Sequence, residues 1–160
     1  MSKETKENKQ PQFGVVKQFL KDISFECPNS NINVEESKVE TEISVGLETK
    51  SVGKDHFEVC LMLNAKATYE EAIVYITEIK YAGVFIARNL PEEQLEMLLG
   101  IEAPQLLFPF ARGLLMRVIA ESGCAMPHID PINFGHLYMQ AKTQRAKSPE
   151  EQKKIEEKHV

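Results

Sequence analysis

Apolar and polar residues alternate along much of the first half of this chain, and successive side chains on an extended strand point to opposite faces. Phe13, Val15, Phe19, Ile23 and Phe25 share one parity, with Lys17 and Lys21 as breaks in it. Within "KDISFECPN" (21–29) the other parity carries Asp22, Ser24 and Glu26. The first strand is therefore expected to have an apolar side and an acidic side. Pro28 and Asn29 end it, and "NSNINVEES" reads as a loop. Val39, Thr41, Ile43, Val45 and Leu47 alternate with Glu40, Glu42, Ser44, Gly46 and Glu48, the pattern of a half-buried strand. After a turn at "SVGKD", Phe57, Val59, Leu61, Leu63, Ala65 and Ala67 mark a third strand. The run "EEAIVYITEIKYAGVFIA", rich in β-branched and aromatic residues, predicts a fourth that is covered on much of both faces.

The period then lengthens. "NLPEEQLEMLLG" offers Asn89 as a cap, Pro91 near a helix start and Gly100 as a stop. "APQLLFPFARGLLMRVIAESG" repeats that grammar from Pro104 to Gly123, with Pro109 read as lying in the first turns. Leu107, Phe110, Leu114 and Val118 lie close to one stripe. "CAMPHIDPIN" is a proline-broken loop, and Phe134, Leu137, Tyr138 and Ala141 resume a helical stripe. The fold class is α+β: a four-stranded antiparallel sheet, a meander or a close variant, followed by C-terminal helices. The expected boundaries are a disordered tail over 1–12, one domain over 13–142 and a charged, disordered tail over 143–160.

Composition narrows the function. A chain of 160 residues, 42% hydrophobic, encloses a core without staples. The net charge of -5 argues against a nucleic-acid partner held by a basic surface. The start, "MSKETKENKQPQ", carries no apolar leader, and no run reaches the roughly twenty apolar residues of a membrane span. The expected location is the cytosol, without stable membrane insertion. Cys27, Cys60 and Cys124 are odd in number and distant in sequence, so they suggest no disulfide framework; Cys60, inside "FEVCLML", reads as a small buried hydrophobe.

Phosphate-cradling glycine loops and a serine-hydrolase elbow are absent. Cys124, His128 and His136 are of zinc-ligating type, but their spacing matches no named zinc pattern, and the bland alternative is a loop cysteine with two partly exposed histidines. No metal and no cofactor are expected. Cys124 with His128 as nucleophile and base is an equally remote option. Glu70 and Glu71 read as a solvated turn pair, and Arg112 as a snorkelling or structurally paired arginine. The acidic side of "DISFE" is open between two readings, a wet strand face and a surface for a cationic partner.

Three stretches taken together, "KDISFECPN" (21–29), "LLFPFARGLLMRVIAESG" (106–123) and "PINFGHLYMQ" (131–140), resemble the SecB protein-export chaperone family in content, order and spacing. The resemblance covers residues 13 to 140. It implies a non-enzymatic bacterial cytosolic chaperone, assembled as a homotetramer, a dimer of dimers, with helices packed between two eight-stranded sheets. Such chaperones hold precursor proteins unfolded in apolar surface grooves and pass them to the SecA motor, whose basic, zinc-containing tail binds acidic residues of the first strand. The matching positions are Asp22 and Glu26, with Ile76 and Glu78 on the fourth strand. Candidate lining of a client groove is Ile43, Val45, Met126 and Ile129; core burial is the alternative for each. The loop after the first strand, "NSNINVEESK", lacks the aromatics that the family often places there. The alternatives are a SecB-like chaperone dedicated to one client, such as an antitoxin, and, more remotely, a Cys/His enzyme or a small-ligand carrier built on the curved sheet.

Overall fold

Four long strands, β1 (Gln12–Glu26), β2 (Val39–Gly53), β3 (His56–Tyr69) and β4 (Ala72–Arg88), form one antiparallel sheet. The computed structural model describes residues 9–29 and 34–156, with side chains up to residue 146. Most of the tail expected over 1–12 lies outside the described residues, and β1 already begins at Gln12. The strand order is β1-β4-β3-β2. Only β2, β3 and β4 form a meander, with tight turns at Asp55 and Glu70, both at positive φ. β1 pairs with β4, so the connection after Glu26 crosses from one sheet edge to the other, as in a Greek key. Asn29 anchors its start by donating from Nδ2 to the carbonyl of Ile73 at 3.0 Å.

The chain then runs as one helical rod. α1 (Glu92–Met97) passes through a π-helical turn (Leu98–Glu102) into α2 (Ala103–Ser122), with helical backbone at each junction. Gly100, expected as a stop, lies inside the π turn; a Cβ there would stand 2.7 Å from Tyr138 Cδ2, so its role is close approach. Pro109 consequently lies deep in the rod. Asn89 does not cap it: the residue has φ 53 and donates to the carbonyl of Gln10 at 3.1 Å, while Pro91 holds the N-cap position.

α2 lies on the sheet through Leu107, Ala111, Leu115 and Ile119, all fully buried, against β3 and β4 residues that include Leu61, Leu63, Ile79 and Phe85. Burying each of the Leu and Ile side chains contributes on the order of 1.5–3 kcal/mol. The buried stripe is rotated from the expected one: Leu107 is shared, whereas Phe110 is 52% exposed. Gly83 permits this packing, because a Cβ there would meet Leu107 Cδ2 at 2.9 Å. α3 (Phe134–Glu156) is capped by Asn133, whose Oδ1 accepts the His136 N–H at 2.9 Å. α3 continues to Glu156, into the stretch expected as a tail over 143–160, along a run rich in Lys, Gln and Glu, good helix formers; residues 157–160 lie outside the described residues. Among the described residues, no helix is long and apolar enough to cross a membrane.

Candidate functional site

β1 carries two bulges, between Val15 and Lys17 and between Leu20 and Asp22. Each inserts one unpaired residue and so flips the alternation that follows. The single apolar parity expected for this strand is thereby corrected. Phe19 pairs with Ala82 on the face away from the helices, and Leu20 pairs with Tyr81 on the helix side. Beyond the second bulge the pairing is regular. Asp22 faces Lys80, Ser24 faces Glu78 and Glu26 faces Ile76. Directly opposed residues share a face at about 5 Å between Cβ atoms. The structure therefore brings Asp22, Glu26, Ile76 and Glu78 together on the outer face of two neighbouring strands.

The surface is acidic but not purely so. Asp22 and Glu26 are exposed, Ile76 is 38% exposed, and Lys80 Nζ lies 3.6 Å from the half-buried Glu78 carboxylate. Lys66 stands opposite Ile76 on β3 and adds a cation at the margin. The backbone beneath is held firmly, because the buried Thr77 hydroxyl donates to the Ser24 carbonyl at 2.8 Å. Further along the same face, Glu58 of β3 is met by Lys21, the residue at the second bulge, and by Lys50 at 3.7 Å. The Lys21 ammonium holds the Glu58 carboxyl below its ordinary pKa and is itself raised by it. The Lys21–Glu58 half of this clamp was not legible in the sequence, since β1 and β3 are neither sequential nor directly paired.

A groove of about 610 Å³ opens between β2, the π turn and α3. Val45, Leu47, Leu99, Leu137, Tyr138 and Ala141 give it an apolar lining, and Glu96, Lys142 and Arg145 stand at its borders. Of the four expected groove residues, Val45 lines it. Ile43 lies on the same face of β2, half-buried against the core, and is not part of this lining. Met126, in the loop between α2 and α3, is 48% exposed. Ile129 is corrected: at 3% exposure it belongs to the core cluster. The α3 wall was visible in sequence as the stripe Leu137, Tyr138, Ala141, but period alone did not say that its partner was an edge strand.

On the helix side, Val15, Leu20 and Ile23 of β1 are 40%, 41% and 39% exposed, beside Leu106 and Phe110 of α2 at 45% and 52%. Phe110 reaches towards β1 by stacking on Tyr81 at 6.1 Å, and the Tyr81 hydroxyl donates to Gln18 Oε1 at 3.4 Å. The two histidines singled out in the sequence, His128 in the loop and His136 on α3, have local partners. The His128 imidazole lies 2.9 Å from Asp130 Oδ1, and Gln140 Nε2 donates to His136 Nε2 at 2.9 Å. Among the described residues, no three His, Cys, Asp or Glu side chains converge as a metal-ligand set.

A family model described as preprotein translocase subunit SecB matches residues 6–145. The protein-export protein SecB of Magnetococcus marinus is 41% identical over 141 residues, covering 85% of this chain and 88% of the relative. That of Dechloromonas aromatica is 36% identical over 146 residues, covering 91% and 96%. Among solved structures, a SecB-like chaperone of Mycobacterium tuberculosis in complex with a peptide from an antitoxin matches with a TM-score of 0.63, covering 75% of this chain and 90% of that one. At 10% identity that likeness speaks to the fold.

Proposed function

The chain belongs to the SecB family, and from that membership we propose that it is a protein-export chaperone of the bacterial cytoplasm. It holds precursor proteins unfolded and delivers them to the SecA motor, without catalysis. The observation that carries this reading is the apolar groove between β2 and α3. An unfolded chain presents apolar side chains and unpaired backbone but no fixed shape, so its receptor needs apolar surface beside a strand edge. β2 is an outer strand of the sheet and runs along the groove, which gives both in one place.

Two further surfaces fit the same role. The acidic face of Asp22, Glu26 and Glu78, with Ile76 as an apolar contact, suits the basic, zinc-containing tail of SecA. The exposed apolar residues of β1 and α2 on the helix side suit a second copy of the chain, in a homotetramer built as a dimer of dimers. Groove, acidic face and self-contacting face are distinct, so client, motor and partner subunits need not compete.

The test is capture of a secretory precursor diluted from denaturant. The protein is expected to keep the unfolded precursor from aggregating and to ignore its folded form. Replacing Val45 and Leu137 together by Ser should weaken capture by about tenfold or more, at an unchanged circular dichroism spectrum. Equal binding of folded and unfolded precursor would overturn the reading. Capture of one antitoxin-like client, with export precursors ignored, would replace it with a dedicated chaperone.

A further inference from the structure

We propose that a basic pocket at one end of the sheet, where the β2–β3 turn, the end of β4 and the approach to β1 meet, binds a small polyphosphate-type anion. The pocket encloses about 660 Å³, and Lys9, Lys54 and Arg88 bring three cations into its lining against one carboxylate, Asp55. That balance runs against the chain as a whole, whose net charge is -5. The acidic face supplies no counter-charge here. Asp22 lies far along β1 from Gln12, roughly 30 Å of extended chain, well beyond the screening length of about 8 Å in physiological salt.

The segments that carry the cations are tied to one another. The Ala87 N–H donates to the Asp55 carbonyl at 2.8 Å, which fixes the end of β4 to the turn. Asn89 Nδ2 donates to the Gln10 carbonyl at 3.1 Å, which fixes the residues after β4 to the approach to β1. Asp55 Oδ2 lies 3.3 Å from Arg88 Nε and so orients the guanidinium. Even a bidentate carboxylate takes only two of the five N–H groups of an arginine, leaving the others for a ligand. Among the described residues, Lys9 and Lys54 have no carboxylate partner.

The lining also shows what the ligand lacks. Among the described residues around the pocket there is no aromatic ring, and Pro11 is the one apolar side chain. Nothing there would stack a base or bury a hydrocarbon body, so recognition rests on charge and hydrogen bonds. Three cations around one cavity suit a ligand with several charged oxygens, such as two or three linked phosphoryl groups, better than a single phosphate. Phosphate oxygens match the guanidinium fork bidentately and meet the lysines as point charges. A phospholipid headgroup offers the same oxygens but brings acyl chains, for which this lining has no surface. The soluble anion is therefore the ligand assigned.

The probe is tripolyphosphate, titrated calorimetrically into the full-length protein, with vesicles of phosphatidylcholine and phosphatidylglycerol as a second arm. Binding is expected at one site per chain, tighter than for orthophosphate and weakened by added salt. Arg88→Gln should weaken it by about tenfold or more, and Lys9→Gln and Lys54→Gln by about two- to fivefold each. Arg88→Lys keeps the charge and loses the fork, so its affinity should fall between those of the parent and Arg88→Gln. Lys9 and Lys54 are exposed, so their variants test the site even where Arg88→Gln melts early. Lys38→Gln, at the far end of β2, should leave the affinity unchanged. No heat of binding, an equal loss in Lys38→Gln, or vesicle binding without tripolyphosphate binding would each overturn the proposal.

Discussion

Glu58 has a side chain only 12% exposed on the face of the sheet turned from the helices, and a carboxylate so placed needs compensation. Lys21 and Lys50 provide it. The folded-state pKa of Glu58 lies below its ordinary 4.5, so the clamp contributes stability above that value and loses it as pH falls through the folded pKa. Glu58→Gln is therefore expected to melt below the parent at about pH 7 and to approach it at about pH 3, which thermal scans at the two pH values would check. The acidic face makes a second prediction. Asp22 and Glu26 stand about 14 Å apart along the strand, a span that suits an extended cationic peptide. Each exposed ion pair contributes only about 0.2–1 kcal/mol, so binding rests on several charges together and weakens with salt. Asp22→Lys with Glu26→Lys should abolish binding of the SecA tail in calorimetric titration while client capture survives; undiminished tail binding would return this face to ordinary solvation. Asp22 and Glu26 were legible because both lie beyond the second bulge, where alternation is unbroken. Phe19 was not, because it lies between two bulges and its own parity gives no sign of them.

At the scale of elements, the junction of the π turn with α3 invites a direct test. A methyl group at Gly100 would meet the Tyr138 ring at 2.7 Å, and Tyr138 lines the groove. Gly100→Ala is expected to cost about 1–3 kcal/mol by overpacking and to weaken client capture by displacing α3. Adding Tyr138→Ala should restore much of the stability, but not the capture, in denaturant titrations run beside the holding assay. Period-two alternation made the strands legible, and period 3.6 the helices. Neither says which strand neighbours which, so the pairing of β1 with β4 lay beyond the sequence. The buried stripe of α2 was misplaced for a related reason: Leu106 and Phe110 make a second apolar face beside the one that meets the sheet. Gly100 illustrates the same limit, since a helix stop and a site of close packing both call for a residue without a side chain.

For the whole molecule, the exposed apolar residues of β1 and α2 predict assembly. Light scattering is expected to give a mass near four times 18.2 kDa, and Phe110→Glu to reduce it by burying an unpaired charge between copies. A parent that stays monomeric on concentration would refute this. The groove between β2 and α3 was the least legible surface, because its walls come from an edge strand, a π turn and a helix that meet only in three dimensions. One feature of β1 reaches beyond any single variant. Its two bulges each hold one residue more than the pairing with β4 requires. They act as slack in the strand. Loss of a residue between Val16 and Lys21 can be absorbed by straightening a bulge, leaving every side chain from Asp22 onward on its present face. From Asp22 to Glu26 there is no slack, and one deletion would turn carboxylates inward and Ile23 or Phe25 outward. Natural length variation along this strand is therefore expected upstream of Asp22 and excluded from the five residues Asp22 to Glu26.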